Sequence, residues 1–162
     1  MFLQTESKKE KNMEQSKKYL KTSSIIVLAL AGLSLLNILF ELFFGELNGA
    51  LNNAAIPEGA PDNIALITRI FILVVSLLIL LPQAYIGIKG LKIAKKPDSS
   101  KGHIVWGIIL MVFTAMGLIS PLLALIQGVD AFGNASELCS IAVDVFILFE
   151  YVKYARAVRN GI

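Results

Sequence analysis

The stretch "ITRIFILVVSLLIL", Ile67–Leu80, is apolar except at Thr68, Arg69 and Ser76. It lies inside a longer apolar run, Ile64–Ile88. A helix needs about 20 residues to cross a hydrocarbon layer of ~30 Å, so apolar runs of roughly 18 or more mark candidate crossings. Working outward, three further runs stand out: Ile25–Phe44, Ile104–Ile126 and Leu138–Tyr154. The chain is 56% hydrophobic with a mean hydropathy of +0.70, against about 45–50% apolar in soluble domains. No stretch outside the runs is long enough to bury a core of its own. The predicted fold class is therefore all-α integral membrane. Short connections favour an antiparallel up-down-up-down four-helix transmembrane bundle, with spans at 25–44, 64–88, 104–126 and 138–154. This single domain, 25–154, is flanked by a lysine-rich tail, 1–24, and a basic tail, 155–162. Pro82 and Pro121 are expected to kink the second and third spans.

Charge predicts the orientation. The tail Met1–Ser24 carries net +3, the connection Gly45–Asn63 −3, Lys89–His103 +4 and Gln127–Glu137 −2. Lys153, Arg156 and Arg159 make the C-terminal end basic again. The sign alternates at every crossing. Lys and Arg beside span ends stay on the cytoplasmic side, so both termini and the middle loop are expected in the cytoplasm of a multi-pass cell-membrane protein. Every Trp and Tyr agrees: Tyr19, Tyr85, Trp106, Tyr151 and Tyr154 all fall at basic span ends, where amphipathic rings favour the headgroup zone. Lys17, Lys18, Lys21, Lys92, Lys95, Lys96, Trp106, Tyr151 and Tyr154 are the expected contacts to anionic lipid headgroups. The tail Met1–Ser24 is expected to be a solvated, disordered arm. The first apolar run is longer than a usual signal-peptide core and no A-x-A-like site follows it, so it reads as a retained anchor. The net charge of +3 sits in these flanks, and nucleic acid is not expected as a partner.

The chain has no phosphate-binding loop, nucleophile elbow or dinucleotide fingerprint. Its one cysteine, Cys139, has no intrachain disulfide partner, and its one histidine, His103, lacks the companion ligands a metal site needs. His103 reads as a polar anchor at a helix start. No catalytic residue, metal or cofactor is expected, and the chain is not expected to be an enzyme.

The spans carry polar stripes. Arg69, Ser76 and Gln83 are seven residues apart in the second span, a step that returns nearly to one helix face. Ala31, Ser34, Asn37 and Glu41 share a face of the first span by steps of three and four. Gly107, Thr114, Pro121 and Gly128 do so in the third, and Ser136, Ser140 and Asp144 in the fourth. Small and polar faces are what helices use to pack in lipid. At ~1.5 Å per residue, Glu41, Arg69 and Asp144 all lie roughly 5–9 Å in from the outer side. An ionisable group there costs about 2.5–3.5 kcal/mol on insertion scales and normally pairs. Arg69 is expected to pair with Asp144, Glu41 or both, since a guanidinium can serve two carboxylates. Asn37, Glu41, Arg69, Ser76, Gln83 and Asp144 form the expected intramembrane polar network. Glu150 and Lys153, three apart, suit a local ion pair.

The stretch "YIGIKGLKIAKKPDSSKGHIVWGIIL", Tyr85–Leu110, resembles the central hairpin of small four-span membrane proteins of Gram-positive bacteria. Twelve lysines against three arginines fit the same resemblance, which implies an architecture and a cytoplasmic membrane but no activity. Two functions are compatible with the residues. One is an accessory or regulatory subunit that binds a larger membrane complex, with a second membrane protein as partner. The other is a small transporter or channel using the Glu41, Arg69 and Asp144 layer.

Overall fold

The computed structural model describes residues 2–44, 62–98, 100–128 and 131–161, without the side chains of 2–8, 41–44, 62–66, 68, 69, 72 and 131. The helical segments are α1 (Phe2–Phe44), α2 (Asp62–Lys95), α3 (Gly102–Met116), α4 (Ile119–Ile126) and α5 (Ala131–Asn160). No strand occurs among the described residues. Segments α3 and α4 are one broken helix. Pro121 has no N–H to offer the carbonyl four residues back, at Gly117, and its ring crowds that carbonyl. The break falls there: Gly117 and Leu118 donate three residues back, to Thr114 (3.0 Å) and Ala115 (3.1 Å). Pro82, by contrast, stays inside a continuous α2.

Three of these helices are long and apolar enough to cross a membrane: Lys9–Phe40, Leu73–Lys95 and Gly102–Ile126. They follow the first three expected spans. Helix α5 runs through the expected fourth span, 138–154, and past both its ends. It is not one of those three, and it carries Asp144, Glu150 and Lys153 within the stretch. The acidic connection expected at 45–63 lies outside the described residues except for Asp62 and Asn63, which open α2.

The N-terminal arm differs from expectation. Helix α1 begins at Phe2 and continues without a break into the first apolar run. The segment has Lys, Glu, Gln, Leu and Met in place of Gly or Pro, and these residues lose little rotamer freedom in a helix. Packing then selects one face, because Ser16, Leu20, Ser23, Ser24 and Val27 are buried, at steps of three and four. The buried hydroxyls of Ser23 and Ser24 are satisfied by their own helix, donating to the Leu20 carbonyl at 3.1 and 2.6 Å, and the exposed Thr22 donates to the Lys18 carbonyl at 3.1 Å.

The chain divides into two compact units, Met1–Leu28 with Pro82–Ile162, and Ala29–Leu81. The first holds the hydrophobic core. Leu20 and Val27 of α1, Ile86 and Ile93 of α2, Ile104 and Leu110 of α3, and Leu148, Val152, Ala155 and Val158 of α5 form one cluster around Tyr151. The members on α1, α2 and α5 recur at intervals of three, four or seven, the spacing of one helix face. In the second unit Ala31 and Leu80 are buried, while Leu33, Leu36, Phe40, Ile67, Phe71 and Leu78 are among many exposed apolar side chains. Two glycines end helices with left-handed backbone: Gly128 (φ 72°) after α4 and Gly161 (φ 66°) after α5. Glycine takes that conformation without the Cβ penalty other residues meet.

Candidate functional site

The tightest site in the first unit is a slot around Tyr151. This residue sits in the second half of α5 with 0% of its surface exposed. Its hydroxyl donates a 2.8 Å hydrogen bond to the Ile86 carbonyl of α2. A backbone carbonyl inside a helix is reachable only where side chains leave room, and glycine leaves it. A Cβ at Gly90 would collide with the Ser24 hydroxyl and the Tyr151 ring, and one at Gly107 would come within 2.9 Å of Val152 and 3.3 Å of Tyr151. At Gly87 it would meet Leu28 at 2.5 Å. Gly90 and Gly107 thus let α2 and α3 close on one aromatic ring of α5, and Gly87 lets α1 approach α2.

His103, in the first turn of α3, stands edge-on to that ring at 6.3 Å between centroids. It is fully buried, and neither ring nitrogen has a hydrogen-bond partner among the described residues. A polar anchor at the membrane interface was expected at this position, and the side chain instead packs inward. Tyr151 is corrected in the same sense. A tyrosine at a basic span end reads as a headgroup contact, yet this one is in the core with its hydroxyl spent on another helix.

The other expected headgroup residues do face outward to different degrees. Lys18, Lys21, Lys92, Lys95, Lys96 and Trp106 are exposed, and Lys17 and Tyr154 are half-buried. Tyr154 stacks on Tyr19 with ring centroids 4.9 Å apart, tying α1 to α5 at the basic end. Lys153 lies 4.9 Å above the Tyr154 ring centre and 3.0 Å from the Glu150 carboxylate, the local pair its three-residue spacing predicts.

A second ion pair has no local sequence signal. Lys89 Nζ meets Asp98 Oδ2 at 3.0 Å, and Asp98 Oδ1 accepts the Ser100 N–H at 3.1 Å. The same carboxylate therefore folds its own turn and fastens it to α2. Helix α2 stops at Lys95, two residues before Pro97, because the residue preceding a proline is driven out of helical geometry.

The outer polar network is placed only in part. Asp144 on α5, and Ser76 and Gln83 on α2, are half-buried, while Asn37 on α1 is exposed. Glu41 and Arg69 lie on the backbone of α1 and α2, and the pairing expected for their side chains lies outside the described residues. No protein-family model, curated protein or solved structure matches the chain.

Proposed function

We propose that the chain is a four-span protein of the cell membrane, with both termini in the cytoplasm, that acts as an accessory or regulatory subunit of a larger membrane assembly. The observation that carries the reading is the contrast in exposure along the helices. Side chains of the core gather near the basic helix ends, whereas most of the described apolar side chains of Ala29–Leu81 are exposed. Ser34 on α1 and Ser136 and Ser140 on α5 are exposed as well. Lipid tails offer a hydroxyl no partner, while a neighbouring helix offers both close packing and a hydrogen bond of about 0.6 kcal/mol. Such faces suit a transmembrane helix of another protein.

The test is photo-crosslinking in native membranes. Crosslinkers at Leu33 and Leu36 of α1 are compared with one at Val158 in the core. A single stoichiometric adduct from the first two and none from the third supports the reading. Solute flux through vesicles containing this chain alone would replace it with a transport function centred on Glu41, Arg69 and Asp144.

A further inference from the structure

The last two turns of α2 and the turn after it form a recess lined by Lys89, Lys92, Ile93, Lys96, Pro97 and Asp98. Three lysines at steps of three and four share one helix face. They are not equivalent. Lys89 is held by Asp98 at 3.0 Å, while Lys92 and Lys96 make no ion pair among the described residues and are exposed. Lys95, equally basic and adjacent in sequence, is not part of the lining.

The recess is built rather than incidental. Its wall is Pro97 and Asp98, with the Asp98 carboxylate fastened to Lys89 on one side and to the Ser100 N–H on the other. Its floor is the buried Ile93. The helix C-terminus contributes about half a negative charge and Asp98 a full one, the latter answered by Lys89. Two uncompensated ammonium groups remain, so the local balance is cationic. Lysine is a compact point charge with three donors, suited to the tetrahedral oxygens of a phosphate.

We propose that this recess binds a phosphate group, with Lys92 and Lys96 as the charged ligands and Lys89 and Asp98 as the positioning pair that holds the wall. The group is supplied by an anionic lipid headgroup or by a soluble phosphate. The lipid source rests on the membrane reading above; the phosphate chemistry does not.

The test uses the full chain purified in a neutral detergent and titrated with two probes, dioctanoyl phosphatidylglycerol and inorganic phosphate. The double variant K92Q/K96Q is compared with K95Q/K101Q, which removes the same charge from outside the recess. All variants are first matched for helical content. The expected result is a loss of roughly tenfold or more in affinity for K92Q/K96Q and no more than about threefold for K95Q/K101Q, because only the first pair lines the recess while the second contributes only the general attraction of surface charge. Lipid binding without phosphate binding identifies a headgroup site, and phosphate binding that competes with lipid identifies a free-anion site. Equal losses in the two double variants, or no saturable binding of either probe, would overturn the proposal. A chain that fails to co-float with neutral phosphatidylcholine vesicles, yet keeps the K92Q/K96Q effect on phosphate, would overturn the membrane reading alone.

Discussion

The Tyr151 hydroxyl reaches the Ile86 carbonyl at 2.8 Å across 65 residues of sequence. One side chain thereby joins α5 to the backbone of α2, in a slot that Gly90 and Gly107 keep open. The bond and the ring make separable contributions. Tyr151→Phe removes the hydroxyl and keeps the ring, and the Ile86 carbonyl still has its place in the helix ladder. The expected loss is about 1 kcal/mol. Tyr151→Ala also empties the slot and is expected to lose about 3–5 kcal/mol. Thermal unfolding in detergent, followed by circular dichroism, reads both.

Gly90→Ala is expected to destabilise by about 1–3 kcal/mol, because the new methyl meets the Ser24 hydroxyl and the Tyr151 ring. Gly32→Ala is the contrasting case. Nothing lies within 4 Å of a Cβ there, and the change relieves the helix-interior cost of glycine, for a gain of up to about 1 kcal/mol. The same unfolding assay should move in opposite directions for the two variants. Equal effects would mean that α1 and α5 do not close on Gly90.

His103 buries two ring nitrogens without partners among the described residues. Replacing such a group by an apolar one of similar size is nearly neutral or stabilising. His103→Leu is therefore expected to keep or raise the melting temperature, whereas a histidine that holds the structure through hydrogen bonds would leave the variant several degrees less stable.

Asp98→Ala removes the carboxylate from both Lys89 and the Ser100 N–H. An exposed ion pair contributes about 0–1 kcal/mol, so global stability should hardly move. The expected effect is local. Amide exchange at Ser100 should accelerate clearly, while exchange at Ile93, buried in the core, stays slow.

The long helices were legible because hydropathy and length act over twenty residues at a time, and no local detail reverses them. The ends of the helices were harder. The lysine-rich segment before Ser24 has no long apolar run, so it reads as solvated. Its helix shows only in the sparse steps Ser16, Leu20, Ser23 and Val27, which acquire meaning once a partner face is known. Tyr151 and His103 misled for a shared reason. A polar aromatic at a basic span end fits the headgroup zone by type, and the burial of Tyr151 depends on Gly107 and Gly90, 44 and 61 residues away in sequence. The third-span stripe includes Gly107, and one more seven-residue step beyond Gln83 reaches Gly90, but periodicity does not say which side chain these glycines admit. The Lys89–Asp98 pair needs the turn at Pro97 to bring its ends together, which no periodicity encodes.

The central claim is the four-span arrangement with basic ends in the cytoplasm, and the fate of α5 decides it. The most direct measurement is labelling of single cysteines by a membrane-impermeant maleimide, in intact and then permeabilised cells, on a Cys139→Ala background. Ala54→Cys and Gln127→Cys should label in intact cells. Ser7→Cys, Ser100→Cys and Asn160→Cys should label only after permeabilisation. Labelling of Asn160→Cys in intact cells, with Ser7→Cys still protected, would put the two termini on opposite sides and contradict the fourth crossing.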